Sequence, residues 1–287
     1  LIKKSGISSR KVMASIPAFS AFTTLIETPV LSDAETAASI SLQAKQHIPI
    51  PISEAVLDWL RVGSVVDDEG VKKNQILLIA VPRAVVARYQ KIYQLAGLEI
   101  VSLEIEGVSL ARVLGKNQEP VMVIDIGSRS TNIIIAKNGF LHYAVQTDFA
   151  GATLTQTIVG GLNIRAERAE SLKRESGLGS DGQIGAGGGY ELFTMLQPVV
   201  DVIINESRRV KEQYEKAYQS RIVEVVLTGG GAMLPGLDRY IAKEFGLRTV
   251  LGNPFADIEC PEIMTPLVPG LSPFMAIAIG LGLRNQQ

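Results

Sequence analysis

The sequence predicts an α/β protein of two domains, on three observations. Strand and helix signals alternate through the first hundred residues. The segment VMVIDIGSRSTNIII at 121–135 reads as two apolar strands joined by a polar turn. The strand RIVEVVLT at 221–228 runs through three glycines into a helix. The chain has 287 residues, 46% of them hydrophobic, which is core enough for more than one domain.

In order, VMASIP and TLIETPV are short branched-apolar runs ended by prolines and read as strands. SDAETAASISLQAKQHI reads as a helix capped by Ser32, with Glu35 at the capping-box spacing. AVLDWLRV is followed by the strand QILLIAVP and the helix RAVVARYQKIYQLAG. In that helix Val85, Val86, Tyr89, Ile92 and Tyr93 recur at helical spacing, and Gly97 supplies the stop. EIVSLEIE is a further strand and GVSLARVLG a short helix.

The second domain opens with the 121–135 hairpin, and Asn138-Gly139 marks the turn into another strand. Residues 151 to 176 read as helical. SGLGSDGQIGAGGGY reads as a mobile surface loop, because its glycines lack the strand-before, helix-after setting of a phosphate loop. LQPVVDVIINESRRVKEQYEKAYQ is a long helix with Glu212 and Lys216 at the i,i+4 spacing. In GGGAMLPGLDRYIAKEFG, Leu234, Leu237, Tyr240, Ile241 and Phe245 mark a buried helix side. A loop through NPFADIECPEIMTPLVP leads to a closing helix from Ser272 to Leu283.

Charge and composition exclude several classes. With 28 Lys plus Arg against 29 Asp plus Glu, nothing electrostatic points to nucleic acid or an anionic membrane. Cys260 is the only cysteine, so there is no intramolecular disulfide and no thiolate zinc cluster, and a reducing cytoplasm fits. His47 and His142 stand far apart and read as ordinary side chains. No stretch approaches the ~20 apolar residues that span a bilayer. LIKKSGISSRKV lacks a signal-peptide core, and a chain that begins at Leu1 is expected to be a fragment or a processed form.

Three constellations carry chemistry. Asp125 ends an apolar strand, where an unpaired buried carboxylate is expensive, so it is expected to face a cleft. Gly127, Ser128, Arg129, Ser130 and Thr131 then form either a polar hairpin turn or a cradle for phosphates, with Asp125 holding Mg2+ through water. Gly229, Gly230 and Gly231 are either a flexible connector or bare backbone for a nucleotide at a helix start. Glu206 and Arg209 share a helix face, as a surface ion pair or as contacts to ribose and purine.

In this order the three features resemble the actin-like ATPase superfamily, in which a second phosphate hairpin is followed by a purine-contacting helix and a glycine-rich adenosine motif. GVSLARVLG and PFMAIAIGLGL resemble its two connecting helices. The N-terminal hundred residues resemble the relocated subdomain of the bacterial branch. Within that branch, QHIPIPISEAVLDW and TGGGAMLPGLDRYIAKEFG with NPF after it resemble the PilM family of type IV pilus assembly proteins.

The resemblance implies an actin-like ATPase fold, with ribonuclease H-like lobes and a relocated 1C-type subdomain. Residues 1–98 would be that subdomain, with a remnant of the first lobe at its start. Residues 99–117 would return to the first lobe and a connecting helix. Residues 118–270 would be the second lobe, with an inserted subdomain at about 151–219, and 271–287 the closing helix. It implies ATP and Mg2+ as ligands: Asp125 positions the metal through water, Gly127 to Thr131 take the β- and γ-phosphates, Gly229 to Gly231 the adenosine, and Glu206 with Arg209 the purine or ribose. Glu106, or alternatively Glu104, matches the residue that polarises attacking water, although Val108 and Ser109 follow where relatives often have proline.

The implied partners are the cytoplasmic tail of a PilN-like inner-membrane protein, held in a groove beside the relocated subdomain, and other proteins of the pilus or a related type II secretion platform. Neither nucleic acid nor direct membrane insertion is implied. The implied location is cytoplasmic and peripheral to the inner membrane, with at most slow, regulatory ATPase activity. One departure stands out. Nothing before residue 121 matches the superfamily's first phosphate hairpin, and DDEG at 67–70 lies in the wrong unit, so the sequence is expected to begin after that hairpin. Three rivals remain: an FtsA-like division protein, which would continue past RNQQ into a basic amphipathic helix; a sugar or acid kinase, which would need an aspartate base; and a degenerate scaffold without nucleotide, for which the missing hairpin argues.

Overall fold

Contacts divide the chain into two units, Leu1–Val108 and Ser109–Gln287. The structure is a computed structural model that describes residues 2–66, 69–179 and 189–284. The glycine-dense segment expected as a loop therefore falls, at 180–188, outside the described residues.

After the short helix α1 (Ile2–Ser5), the first unit contains two sheets. β1 (Lys11–Ile16) and β2 (Phe22–Pro29) are consecutive, yet a 3-10 turn at Ala18–Ser20 sends them to different sheets. β2 joins β4 (Lys72–Pro82) and β3 (Ala55–Val66) in an antiparallel sheet of order β2-β4-β3. Central β4 is buried almost end to end. Helix α2 (Asp33–His47) places Ile40 and Ala44 on Ile26, Ile76, Leu78 and Ala80 of that sheet. Its capping box forms as expected: Glu35 N–H donates to Ser32 Oγ, and Ser32 N–H to Glu35 Oε2 at 3.0 Å. Helix α3 (Arg83–Leu95) ends where Gly97 takes a positive φ. The chain then forms β5 (Glu99–Ile105), parallel to β1, and enters α4 (Glu106–Leu114), which crosses the boundary between units.

The second unit is built on a five-stranded sheet of order β10-β9-β6-β7-β8. Its strands are β6 (Val121–Ile126), β7 (Thr131–Lys137), β8 (Phe140–Thr147), β9 (Glu224–Thr228) and β10 (Arg248–Leu251). β6, β9 and β10 run parallel, and β7 and β8 antiparallel. Every residue of β6 is buried, which suits a continuous apolar strand covered on both faces. Asn138 and Gly139, both at positive φ, make the expected turn into β8.

The helical stretch expected at 151–176 comprises two helices, α5 (Gly151–Leu162) and α6 (Ala166–Ser176), with Asn163 in a left-handed conformation between them. The long helix α7 (Gly189–Tyr218) lays Leu196, Val200, Ile203, Ile204, Val210 and Tyr214 on the core with Met122, Ile124, Ile133 and Ile135. An i,i+4 ion pair on it joins Lys211 to Glu215 at 2.7 Å. Helix α8 (Leu237–Phe245) buries Leu237 and Ile241, as its spacing predicts.

The closing helix α9 (Val268–Gly282) starts four residues before the expected Ser272, and a 3-10 run, Glu262–Leu267, leads into it. The helical run Glu262–Gly282 is 21 residues long and, by length and composition, apolar enough to cross a membrane, which corrects the expectation that no segment is. One side of the run packs on protein, where Ser272, Pro273, Ala276 and Gly280 are buried and buried Arg112 of α4 donates to Gly280 O at 2.7 Å, while Ile263, Leu267, Phe274 and Met275 are exposed.

Candidate functional site

The site begins where two parallel strands end side by side. The register sets Asp125 beside Thr228, so the turn after β6 and the glycines after β9 emerge together. Asp125 is 8% exposed, and Asn132 Nδ2, its partner across the hairpin, donates to Asp125 Oδ2 at 3.3 Å.

Gly229 N–H donates to Pro273 O at 2.9 Å, and the residue has φ 81° and ψ 162°, a conformation essentially confined to glycine. A Cβ there would stand 2.5 Å from Asp125 Oδ1. One on Gly231 would stand 2.2 Å from Ile126 Cγ2, and one on Gly230 2.9 Å from Phe274 Cε1. Packing therefore demands glycine at 229 and at 231, whereas at 230 the neighbour is the far end of an exposed ring.

The turn is closed by Gly127 N–H donating to Ser130 O at 3.0 Å, with Ser128 and Arg129 exposed at its tip. It is also stitched to α5: Gly151 N–H donates to Gly127 O at 3.0 Å, and Ala152 N–H to Ser128 O at 2.7 Å. The first turn of a helix has N–H groups without intrahelical partners, and here the hairpin's carbonyls take two of them. Thr131 departs from its expected role. It is fully buried and its hydroxyl donates to Phe149 O at 2.7 Å, so it holds the strand to the entry of α5 and does not offer its hydroxyl to a phosphate.

Glu206 and Arg209 form their ion pair on α7, and the hydrogen bond from Arg209 lowers the Glu206 carboxyl pKa. Arg209 Nη1 also donates to Gln213 Oε1 at 3.0 Å, which Tyr143 Oη of β8 shares at 3.0 Å. These bonds lead toward β8, the sheet edge remote from the glycine loop after β9.

The structure brings up a different acid–base set that sequence reading missed. On α6, Lys173 Nζ, with its side chain 12% exposed, donates to Glu170 Oε2 (2.6 Å), Thr155 Oγ1 (2.8 Å) and Gly151 O (3.0 Å), and Arg174 Nε donates to Glu170 Oε1 (2.8 Å). Burial works to raise the Glu170 pKa, but the hydrogen bonds from Lys173, Thr155 and Arg174 outweigh it and bring it down to about 2. The end of α6 meets the segment beyond the glycine loop, where Leu178 N–H donates to Pro235 O at 2.8 Å. Thus α6 touches the residue that braces the hairpin, and the chain just beyond it touches the segment that follows the glycines. Its Glu-x-x-Lys spacing was visible, but nothing in the sequence ranked it above Glu206-x-x-Arg209. Glu106 opens α4 in the first unit, where its charge adds to the burial that raises the Tyr89 pKa, and Glu104 lies half-buried on β5.

A family model described as type IV pilus assembly protein PilM matches residues 1–286. The chain belongs to the PilM family. Among solved structures, the PilM-PilN type IV pilus biogenesis complex superposes with a TM-score of 0.83 at 22% identity, over 100% of this chain and 83% of that one. MreB5 of Spiroplasma citri bound to AMPPNP matches with a TM-score of 0.53 at 18% identity, over 70% of this chain and 64% of that one. The fold of this PilM family member is thus the actin-like ATPase fold. Ethanolamine utilization protein EutJ of Escherichia coli (strain K12) is 27% identical over 176 residues, 60% of this chain and 53% of EutJ. Cell division protein FtsA of Bacillus subtilis (strain 168) is 24% identical over 261 residues, 78% of this chain and 58% of FtsA. The chain spans about half the length of the curated relatives it matches.

Proposed function

We propose that this PilM family member binds ATP with Mg2+ in its second unit and holds the cytoplasmic tail of a PilN-like inner-membrane protein with its first, as part of a type IV pilus platform. The observation that carries the nucleotide half is Gly229 lying against Asp125. A carboxylate that would hold Mg2+ through water thus stands next to the backbone of three residues that carry no side chains of their own. Gly127, Ser128, Arg129 and Ser130 would line the β- and γ-phosphates. Glu170, Lys173 and Arg174 are candidates for the nucleoside beside Glu206 and Arg209, because Lys173 reaches Gly151 next to the hairpin and the chain just after α6 meets Pro235. Any hydrolysis there would be slow and regulatory. MreB5 bound to AMPPNP supports the ligand class.

The partner half rests on the likeness to the PilM-PilN complex and on a depression of about 170 Å³ in the first unit, lined by Val86, Gln90, Ile100 and Leu103. Elsewhere on the same elements, Ile92 and Leu95 of α3 and Val101 of β5 stand exposed. A tail that seats apolar side chains there would place this protein in the cytoplasm, peripheral to the inner membrane, beside the other platform proteins.

Titration of a fluorescent ATP analogue with and without Mg2+ tests the first half. Wild type is expected to bind in a Mg2+-dependent way and Asp125→Ala to lose that dependence, whereas equal binding by both removes the claim. A synthetic PilN-like tail peptide tests the second. Val86→Asp and Leu103→Asp are expected to abolish its binding, and unchanged affinity would place the tail elsewhere.

A further inference from the structure

Phe274 is an aromatic side chain with no evident structural duty. Its neighbours on α9, Ser272, Pro273 and Ala276, are buried, yet Phe274 itself is 61% exposed. Its position is nevertheless held. Pro273 O accepts Gly229 N–H at 2.9 Å and Thr228 Oγ1 at 3.4 Å, and Gly230 lies so close to the ring that a Cβ would stand 2.9 Å from Cε1. An exposed ring therefore lies against bare backbone, one residue from the glycine that rests on Asp125.

We propose that Phe274 is a nucleotide-contact residue, packing its ring against the nucleoside half of ATP and giving the site its preference for a nucleoside triphosphate over bare polyphosphate. The assignment rests on the nucleotide reading above. A ring face carries negative quadrupole charge and repels phosphate oxygens, while it attracts the apolar face of a base or sugar. The polar needs of the ligand are met on the other side, by the glycine backbone and by Asp125. The missing Cβ at Gly230 admits the ring, whose other side is exposed.

Calorimetric titration of ATP and of sodium tripolyphosphate into wild type, Phe274→Ala and Phe274→Leu tests this. Phe274→Ala is expected to weaken ATP roughly tenfold while tripolyphosphate changes less than about twofold, and Phe274→Leu is expected to recover part of the loss. Leucine keeps apolar volume over Gly230, so it carries the comparison with wild type if the alanine variant fails to fold. Unchanged ATP affinity in the variants overturns the proposal. An equal loss for ATP and tripolyphosphate also overturns it, by reducing the ring to a support of the loop. If wild type binds neither ligand, the nucleotide reading itself fails, and that result is separable because no variant is needed to see it.

Discussion

Gly229 and Asp125 touch: a Cβ on residue 229 would stand 2.5 Å from the Asp125 Oδ1 and 2.4 Å from the Ile126 carbonyl. The contact exists because β6 and β9 run parallel in register, so that the residue after Thr228 must pass the carboxylate at the end of the neighbouring strand. Gly229→Ala is therefore expected to unfold more easily than wild type. Backbone strain contributes about 1–3 kcal/mol, and the collision adds to it. Urea denaturation measures the loss, and an alanine variant as stable as wild type would show that the two strand ends are not this close.

Lys173 holds α6 to α5 with a nearly buried ammonium group. Lys173→Met leaves the Glu170 carboxylate and the Gly151 carbonyl without their shared donor, which is expected to cost about 1–3 kcal/mol. Because Gly151 in turn braces Gly127, the variant is also expected to exchange the amide hydrogens of 127–130 faster, read by hydrogen–deuterium exchange.

The Glu170 cluster gives an acid-side dependence. Its folded pKa of about 2 lies below the ordinary value of 4.5, so its stabilisation is complete above pH 4.5 and is lost as pH falls toward 2. The stability gap between wild type and Glu170→Gln is expected to be wide at pH 6 and to close by pH 2. A gap independent of pH would contradict the ion-paired geometry.

His142 titrates in a different window. Burial, with a smaller contribution from Lys137, lowers its pKa from 6.5 to about 4, and its Nδ1 lies 3.3 Å from the Tyr214 hydroxyl. The unfolded chain takes up this proton first, so stability is full above pH 6.5 and falls on the way to pH 4, by on the order of 3 kcal/mol. His142→Phe, which retains a ring edge-on to Tyr214, is expected to flatten that part of a melting-temperature profile.

At the α4–α9 contact, a Cβ on Gly280 would stand 2.2 Å from Ser109 O, while Gly270 on the same helix has open space. Gly280→Ala is expected to lower stability by at least about 1–3 kcal/mol, and Gly270→Ala to change it little. Differential scanning calorimetry of the two variants separates close packing from helix propensity.

By itself the sequence determined the local elements and the kind of chemistry. Period-2 and period-3.6 patterns, the Ser32/Glu35 box and the Asn138-Gly139 turn are short-range signals, because each is set by backbone geometry within a few residues. Asp125 before a glycine and hydroxyl turn, and three glycines between strand and helix, were legible for the same reason. Only the tertiary structure decided the rest. It sent β1 and β2 to different sheets, since strand pairing is a choice among distant segments that no local pattern encodes. It divided 151–176 at Asn163, turned the Thr131 hydroxyl inward to Phe149, and drew Lys173 rather than Arg209 to the hairpin's brace. A Glu-x-x-Lys and a Glu-x-x-Arg look alike along a chain. Which of them reaches Gly151, whose N–H holds the hairpin, depends on where two helices lie over one sheet, and that is settled by how their apolar faces pack.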